Sequence, residues 1–109
     1  MIETEKLTLL VAEQLKMISD ELRFPVVFKS SFDKANRSSL SSYRGPGMDE
    51  GLRILERVQK EFEIPVLTDV HEGTKLDEVS SVVSMLQTPA FLCRQTDFIL
   101  EVCSQGLPV

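Results

Sequence analysis

The sequence predicts an α/β fold built around a small parallel sheet, and three observations predict it. Segments with helical apolar periodicity alternate along the chain with short β-branched runs. Those runs open on proline, and ionisable residues gather where they end. Strands alternating with helices pair in parallel through right-handed crossovers. The third observation is ordinary composition: 42% of the 109 residues are hydrophobic and 27% charged. That balance excludes a disordered tail, a collagen-like fibre and a polytopic membrane protein.

The elements follow in order. From Thr4 to Leu22 the apolar residues Leu7, Leu10, Val11, Leu15, Ile18 and Leu22 recur at helical spacing and predict one apolar stripe. Glu3 and Glu5 sit near the positive end of that helix. Pro25-Val26-Val27-Phe28 reads as a buried strand. A second helix fits Asp49 to Phe62, with Leu52, Leu55, Val58 and Phe62 on one face, and Pro65-Val66-Leu67-Thr68 makes a second strand. Leu76, Val79, Val82, Val83 and Leu86 predict a third helix. The apolar stretch from Met85 to Cys93 then reads as a short strand ending near Gln87, followed by a loop. A last helix runs from Thr96 to Ser104 with Gly106 as its C-cap, and Pro108-Val109 starts a further strand. No sequence repeat, low-complexity segment or interdomain linker interrupts this order.

Charge and cysteine usage narrow the function classes. The 12 basic and 17 acidic residues leave a net charge of −5, which disfavours a general nucleic-acid surface. The start, Met1-Ile2-Glu3-Thr4-Glu5-Lys6, lacks the basic and apolar regions of a signal peptide, and no apolar run approaches the ~18 residues of a membrane span. A cytoplasmic protein without membrane partners is expected. Cys93 and Cys103 are too few for a disulfide framework and form no metal motif, so they read as reduced, half-buried thiols. Met17, Met48 and Met85 read as core or gap-filling residues. His71 is the only histidine and fits a supporting hydrogen bond better than metal ligation.

In parallel α/β folds ligands meet the carboxyl ends of the strands. Here the first strand runs into Lys29, the second into Asp69 with His71 two residues on, and the third ends near Gln87. A buried strand that finishes in an ionisable group needs a partner or a ligand there. An internal Lys29–Asp69 salt bridge across neighbouring strand ends is one solution, and a polar ligand is the other.

The segment after the first strand carries the most information. It reads Lys29-Ser30-Ser31-Phe32-Asp33-Lys34-Ala35-Asn36-Arg37-Ser38-Ser39, then Tyr43-Arg44-Gly45-Pro46-Gly47. About twenty residues separate strand from helix, long for such a connection. Lys29, Lys34, Arg37 and Arg44 face one acid, Asp33, with serine hydroxyls among them. The mixture suits phosphate and carboxylate groups. A solvated basic loop that balances an acidic body is the competing account.

The run KSSFDKANRSSLSSYRGPG, Lys29–Gly47, resembles the 3-deoxy-D-manno-octulosonate 8-phosphate synthase family. Leu67-Thr68-Asp69-Val70-His71-Glu72 and Gln87-Thr88-Pro89-Ala90-Phe91-Leu92-Cys93-Arg94-Gln95-Thr96-Asp97 resemble two further signatures of that family, in the same order. A sister family, the 3-deoxy-D-arabino-heptulosonate 7-phosphate synthases, typically shows Lys-Pro-Arg-Thr-Ser where this chain has Lys34-Ala35-Asn36-Arg37-Ser38.

The resemblance implies condensation of phosphoenolpyruvate with D-arabinose 5-phosphate and water, giving the octulosonate phosphate of lipopolysaccharide biosynthesis and inorganic phosphate. It places Lys29, Ser31, Lys34, Gln87 and Ala90 on phosphoenolpyruvate. Asn36, Arg37, Ser38 and Arg94 fall on arabinose 5-phosphate, with Arg94 reaching from a neighbouring subunit of a homo-oligomer, a tetramer in the family. Lys34, Asp69 and Asn36 are the catalytic candidates, with Lys34 nearest the reacting centre. The implied fold is a (β/α)8 barrel, which takes about 250 residues. Residues 1–109 would then be a partial barrel of about three βα units plus a leading helix, lacking the first strand and the C-terminal half. Some family members use a divalent metal, whose ligands fall outside this stretch. The isolated chain is expected to be inactive, and two other accounts stay open. One is a non-catalytic sugar-phosphate-binding or assembly module, and the other a heptulosonate synthase relative.

Overall fold

A computed structural model describes all residues from Met1 to Val109. The helix α1, Glu5–Leu22, is capped by Thr4, whose hydroxyl accepts the Leu7 amide at 3.2 Å. It ends at Arg23 in the left-handed conformation, φ 52°. β1, Phe28–Lys29, is short, and α2, Met48–Phe62, starts at Gly47. β2, Val66–Asp69, follows, then α3, Leu76–Ser80, and β3, Met85–Gln87. A 3-10 turn at Ala90–Leu92 leads into α4, Thr96–Cys103.

The sheet is parallel, in the order β1-β2-β3, as the alternation of elements predicts. Lys29 opposes Leu67, and Asp69 opposes Gln87. Because side chains alternate along a strand, Lys29, Leu67, Asp69, Met85 and Gln87 share one face. Phe28, Val66, Thr68 and Leu86 share the other, which is buried. That covered face is the heart of a core with Leu52, Ile54, Leu55 and Val58 of α2, Val79 of α3, and Phe98 and Val102 of α4. The opposite face has no helix of this chain packed as a core against it and carries the polar strand ends, with Lys29 and Gln87 exposed and Asp69 buried between them.

Both outer edges of the sheet carry backbone from the chain ends. The Ile2 amide donates to the Ser31 carbonyl at 2.9 Å beyond β1, and the Leu86 amide donates to the Pro108 carbonyl at 2.9 Å beyond β3. Pro108-Val109, read as the start of a further strand, makes this one bond to β3 and forms no strand.

Several expectations change. The third helix stops at Ser80, and the Val82 and Val83 amides both close onto the Val79 carbonyl before the chain straightens into β3. Adjacent β-branched residues lead into a strand there, so the helical spacing out to Leu86 is fortuitous. The last helix is capped at Ser104, with Gly106 two residues beyond at φ 73°. The apolar stripe of α1 is largely uncovered: Leu7, Leu10, Val11, Ile18 and Leu22 are exposed, and the buried positions are Thr8 and Ala12. Met17 is exposed rather than core, whereas Met48 packs against the core. Cys93 and Cys103 are both exposed, not half-buried. No helix is long and apolar enough to cross a membrane.

Candidate functional site

Parallel strands deliver their final side chains to one end of the sheet, and three of the sequence candidates meet there. Lys29 Nζ lies 3.5 Å from Asp69 Oδ1 and donates to Ser31 Oγ at 3.0 Å. The internal salt bridge considered from sequence is therefore present. It leaves the carboxylate incompletely satisfied, since buried Asp69 Oδ1 has no hydrogen-bond partner. His71 Nε2 stands 3.5 Å from the other oxygen, Asp69 Oδ2, close to the carboxylate but without the hydrogen bond expected of it. The ring of His71 also stacks on Phe91, with centroids 6.3 Å apart. Lys29 and His71 thus hold Asp69 from two sides, with Gln87 opposite it in the register and exposed.

Below this cluster, Thr68 is fully buried and donates to the Ser30 carbonyl at 2.9 Å. That bond ties the start of the long loop to β2. Ser30, Ser31 and Phe32 are buried and fix the loop's first residues. Beyond them the chain rises to solvent: Lys34, Asn36 and Ser38 are exposed. Arg37 is half-buried and folds back so that Nη1 donates to the Ala35 carbonyl at 3.0 Å. Its Nε is buried without a hydrogen-bond partner. Arg37 and Ser38, with Ala35, Ser39 and Leu40, line a hollow of about 260 Å³.

A larger hollow of about 410 Å³ lies on the other side of the loop, between Asp33, Arg44 and Gly47 and the turn His71-Glu72-Gly73-Thr74. Neither Lys29, Lys34 nor Arg37 lines it. Its lining mixes both signs of charge, whereas the smaller hollow is lined by one cation, Arg37, and no acid.

Of the four loop cations read from the sequence, Arg44 is the one that takes up the single acid, Asp33. Its Nε and Nη2 grip Asp33 Oδ1 and Oδ2 at 2.8 and 2.6 Å, a two-point ion pair. The guanidinium holds the Asp33 carboxyl below its ordinary range. Opposite charges flanking a serine-rich segment that ends in Gly-Pro-Gly were the available signal. Reading it needed the loop to close, which composition does not reveal.

The remaining candidates lie after β3. Ala90 opens the 3-10 turn and Arg94 follows it, both exposed. No hydrogen bond or ion pair joins Arg94 to Arg37 or Ser38 within one chain. No group of three His, Cys, Asp or Glu side chains comes together that could hold a metal ion.

The chain matches the DAHP synthetase I family over residues 1–109. It is 67% identical over 108 residues to the 2-dehydro-3-deoxyphosphooctonate aldolase of Dichelobacter nodosus, covering 99% of this chain and 39% of that protein. The proteins of that name from Methylococcus capsulatus and Hydrogenovibrio crunogenus are 65% and 62% identical over the same length. The chain spans 38–39% of the length of these curated relatives.

Proposed function

The chain belongs to the DAHP synthetase I family, and from that premise we propose that it forms part of a 3-deoxy-D-manno-octulosonate 8-phosphate synthase. The reaction joins phosphoenolpyruvate to D-arabinose 5-phosphate and water, releasing inorganic phosphate. Relatives above 60% identity carry the octonate name, and Asn36-Arg37 stands where the heptulosonate enzymes differ. Both features support arabinose 5-phosphate over erythrose 4-phosphate.

One observation carries the reading: the buried Nε of Arg37 has no protein partner, beside Ser38 in a hollow open to solvent. A buried guanidinium nitrogen without an acceptor is costly. A phosphate ester would supply acceptor oxygens to that nitrogen and to the Ser38 hydroxyl together. In this reading Arg37, Ser38 and Asn36 take the sugar phosphate, with Arg94 of a neighbouring subunit in a homo-oligomer. Lys29, Ser31, Gln87 and Ala90 take phosphoenolpyruvate at the strand ends. Lys34 stabilises charge near the reacting carbons, and Asp69 orients Lys29 and polar substrate groups. Some enzymes of this kind use a divalent metal. The residues of this chain do not fit a metal site, so no step is routed through one.

The three βα units fit a segment of a (β/α)8 barrel, with residues 1–109 as a partial domain. The open sheet face, which carries Lys29, Asp69 and Gln87, would then look into the barrel. The enzyme's setting would be the cytoplasm. The chain alone lacks most of such a site and is expected to release no phosphate from the two substrates.

Titration of the chain with arabinose 5-phosphate, phosphoenolpyruvate and erythrose 4-phosphate, followed by NMR, tests the reading. Arabinose 5-phosphate should shift the Arg37 and Ser38 amides with a millimolar-range dissociation constant, and Arg37→Gln should abolish the shifts. Binding of no phosphorylated sugar, or equal shifts in Arg37→Gln, would overturn it. The uncovered apolar face of α1 favours one second reading, a non-catalytic assembly module. That module would bind neither substrate yet co-purify with a full-length synthase.

A further inference from the structure

Residues 33–44 leave the fold and return to it at one point, where three sets of contacts converge. The Lys34 amide donates to the Arg44 carbonyl at 2.6 Å, and the Gly47 amide donates to the Phe32 carbonyl at 3.3 Å. The Arg44 side chain closes the same neck by its two-point grip on Asp33. Gly45 lies against the neck so tightly that a Cβ there would fall 2.3 Å from the Phe32 carbonyl oxygen, and its φ is +122°. No other side-chain interaction joins the two ends of the loop. Within the loop the remaining bonds are local: Arg37 to Ala35, Ser39 with Ser41, and the Ser42 amide to the Ser39 carbonyl.

We infer that the Asp33–Arg44 pair is a positioning clasp, which keeps the neck shut and so holds Lys34, Arg37 and Ser38 in one arrangement for a phosphorylated ligand. The inference rests on the reading of this loop as a phosphate-ester site. Its physical basis is loop closure. A segment of this length, with few internal contacts, samples many conformations once its ends part, and only a fraction would present Lys34 and Arg37 together. Asp33 and Arg44 touch no ligand in this account, because each spends its charge on the other. Asp33 feels the charge of Arg37 but makes no direct ion pair with it or with Lys34, so both cations keep their donors for an anion. The two-point geometry matters as well as the charge, since lysine cannot reproduce a parallel pair of N–H donors.

The test compares the wild-type chain with Asp33→Asn, Arg44→Gln, Arg44→Lys and the charge-swapped Asp33→Arg/Arg44→Asp. Limited trypsin digestion is scored as cutting after Arg37 relative to cutting after Arg23, outside the loop. Affinity for arabinose 5-phosphate is titrated in parallel, and thermal melting is recorded. Either neutralising substitution should raise Arg37 cutting and weaken the sugar phosphate by about three- to tenfold, the scale of one partly exposed pair. Arg44→Lys should fall between them and wild type. The swapped chain should recover most of both losses, and melting temperatures should stay within about 2 °C. Unchanged cutting and affinity in both neutralised chains would overturn the clasp. So would losses that the swap does not restore, or losses that merely follow a fall in melting temperature. A wild-type chain that binds no sugar phosphate counts against the proposed function, and the digestion series still decides whether the pair closes the loop.

Discussion

Gly51 shows how much the loop depends on one residue in a neighbouring helix. A Cβ at this position would sit 2.3 Å from Phe32 Cβ, so α2 can approach the loop's root only because it carries glycine there. Gly51→Ala is expected to destabilise the chain by about 1–3 kcal/mol, the cost of forced overpacking, read from the urea midpoint. An unchanged midpoint would show that Phe32 moves aside freely. Thr68 bears on the same root from the sheet. Thr68→Val keeps the volume but strands the Ser30 carbonyl, and about 1 kcal/mol should be lost in the same measurement. Residues of this scale were unevenly legible. Lys29 and Asp69 stood out because an ionisable group at the end of an apolar run is unusual, and they do meet. Gly51 sat unnoticed in a good helical pattern, because nothing local says that a phenylalanine nineteen positions earlier will lie on it.

At the scale of elements, α1 and α2 are joined across their surfaces by charge. Glu5 accepts from Arg53 and Arg57, Arg53 also grips Glu50, and Arg57 reaches Glu61. Hydrogen bonds from Arg53 and then Arg57 pull the Glu5 carboxyl from 4.5 to about 2. A depressed carboxyl stabilises the fold fully above its unfolded value and loses that contribution as pH falls towards the folded one. The helix pair should therefore weaken between about pH 4.5 and 2, within the range set by that shift. Comparing acid unfolding of wild type with Glu5→Gln isolates this group from Asp33, whose carboxyl is also lowered. The variant should show the shallower slope, and added salt should narrow the difference, because the arginines are exposed and Glu5 is partly so. Identical slopes would mean that the network holds nothing. The helices α1, α2 and α4 and the strand β2 were readable from period and proline, whereas the strand read at Pro25-Val26-Val27-Phe28 begins only at Phe28. The failures came where tertiary context chose: α3 stops before a β-branched pair, and the stripe of α1 faces solvent although its spacing implies a buried side.

The whole molecule is lopsided. One face of the sheet is covered by helices, while the other brings Lys29 and Gln87 to solvent around a buried Asp69. On α1, Leu22 is 68% exposed, and Phe24 just beyond is 71% exposed. So much uncovered apolar surface on a small chain favours association. Sedimentation should show mass rising over the micromolar range, and Leu22→Ser with Phe24→Ser should shift that rise to higher concentration. A strictly monomeric wild-type chain at 100-fold dilution steps up to about 1 mM would contradict this, since patches of this kind associate in that range. Such lopsidedness lay outside what composition could reveal, because an average hydrophobic fraction says nothing about which side carries it.

The anchoring of the two chain ends on opposite outer edges of the sheet has a mechanical corollary. Tension applied between Ile2 and Pro108 enters at the Ser31 rung on one side and leaves through the Leu86 rung on the other. The load then runs across the strands rather than along them. Each backbone bond is met in turn instead of all sharing the strain, so the sheet should peel open like a zipper at low force. The same bonds loaded lengthwise would resist as a set.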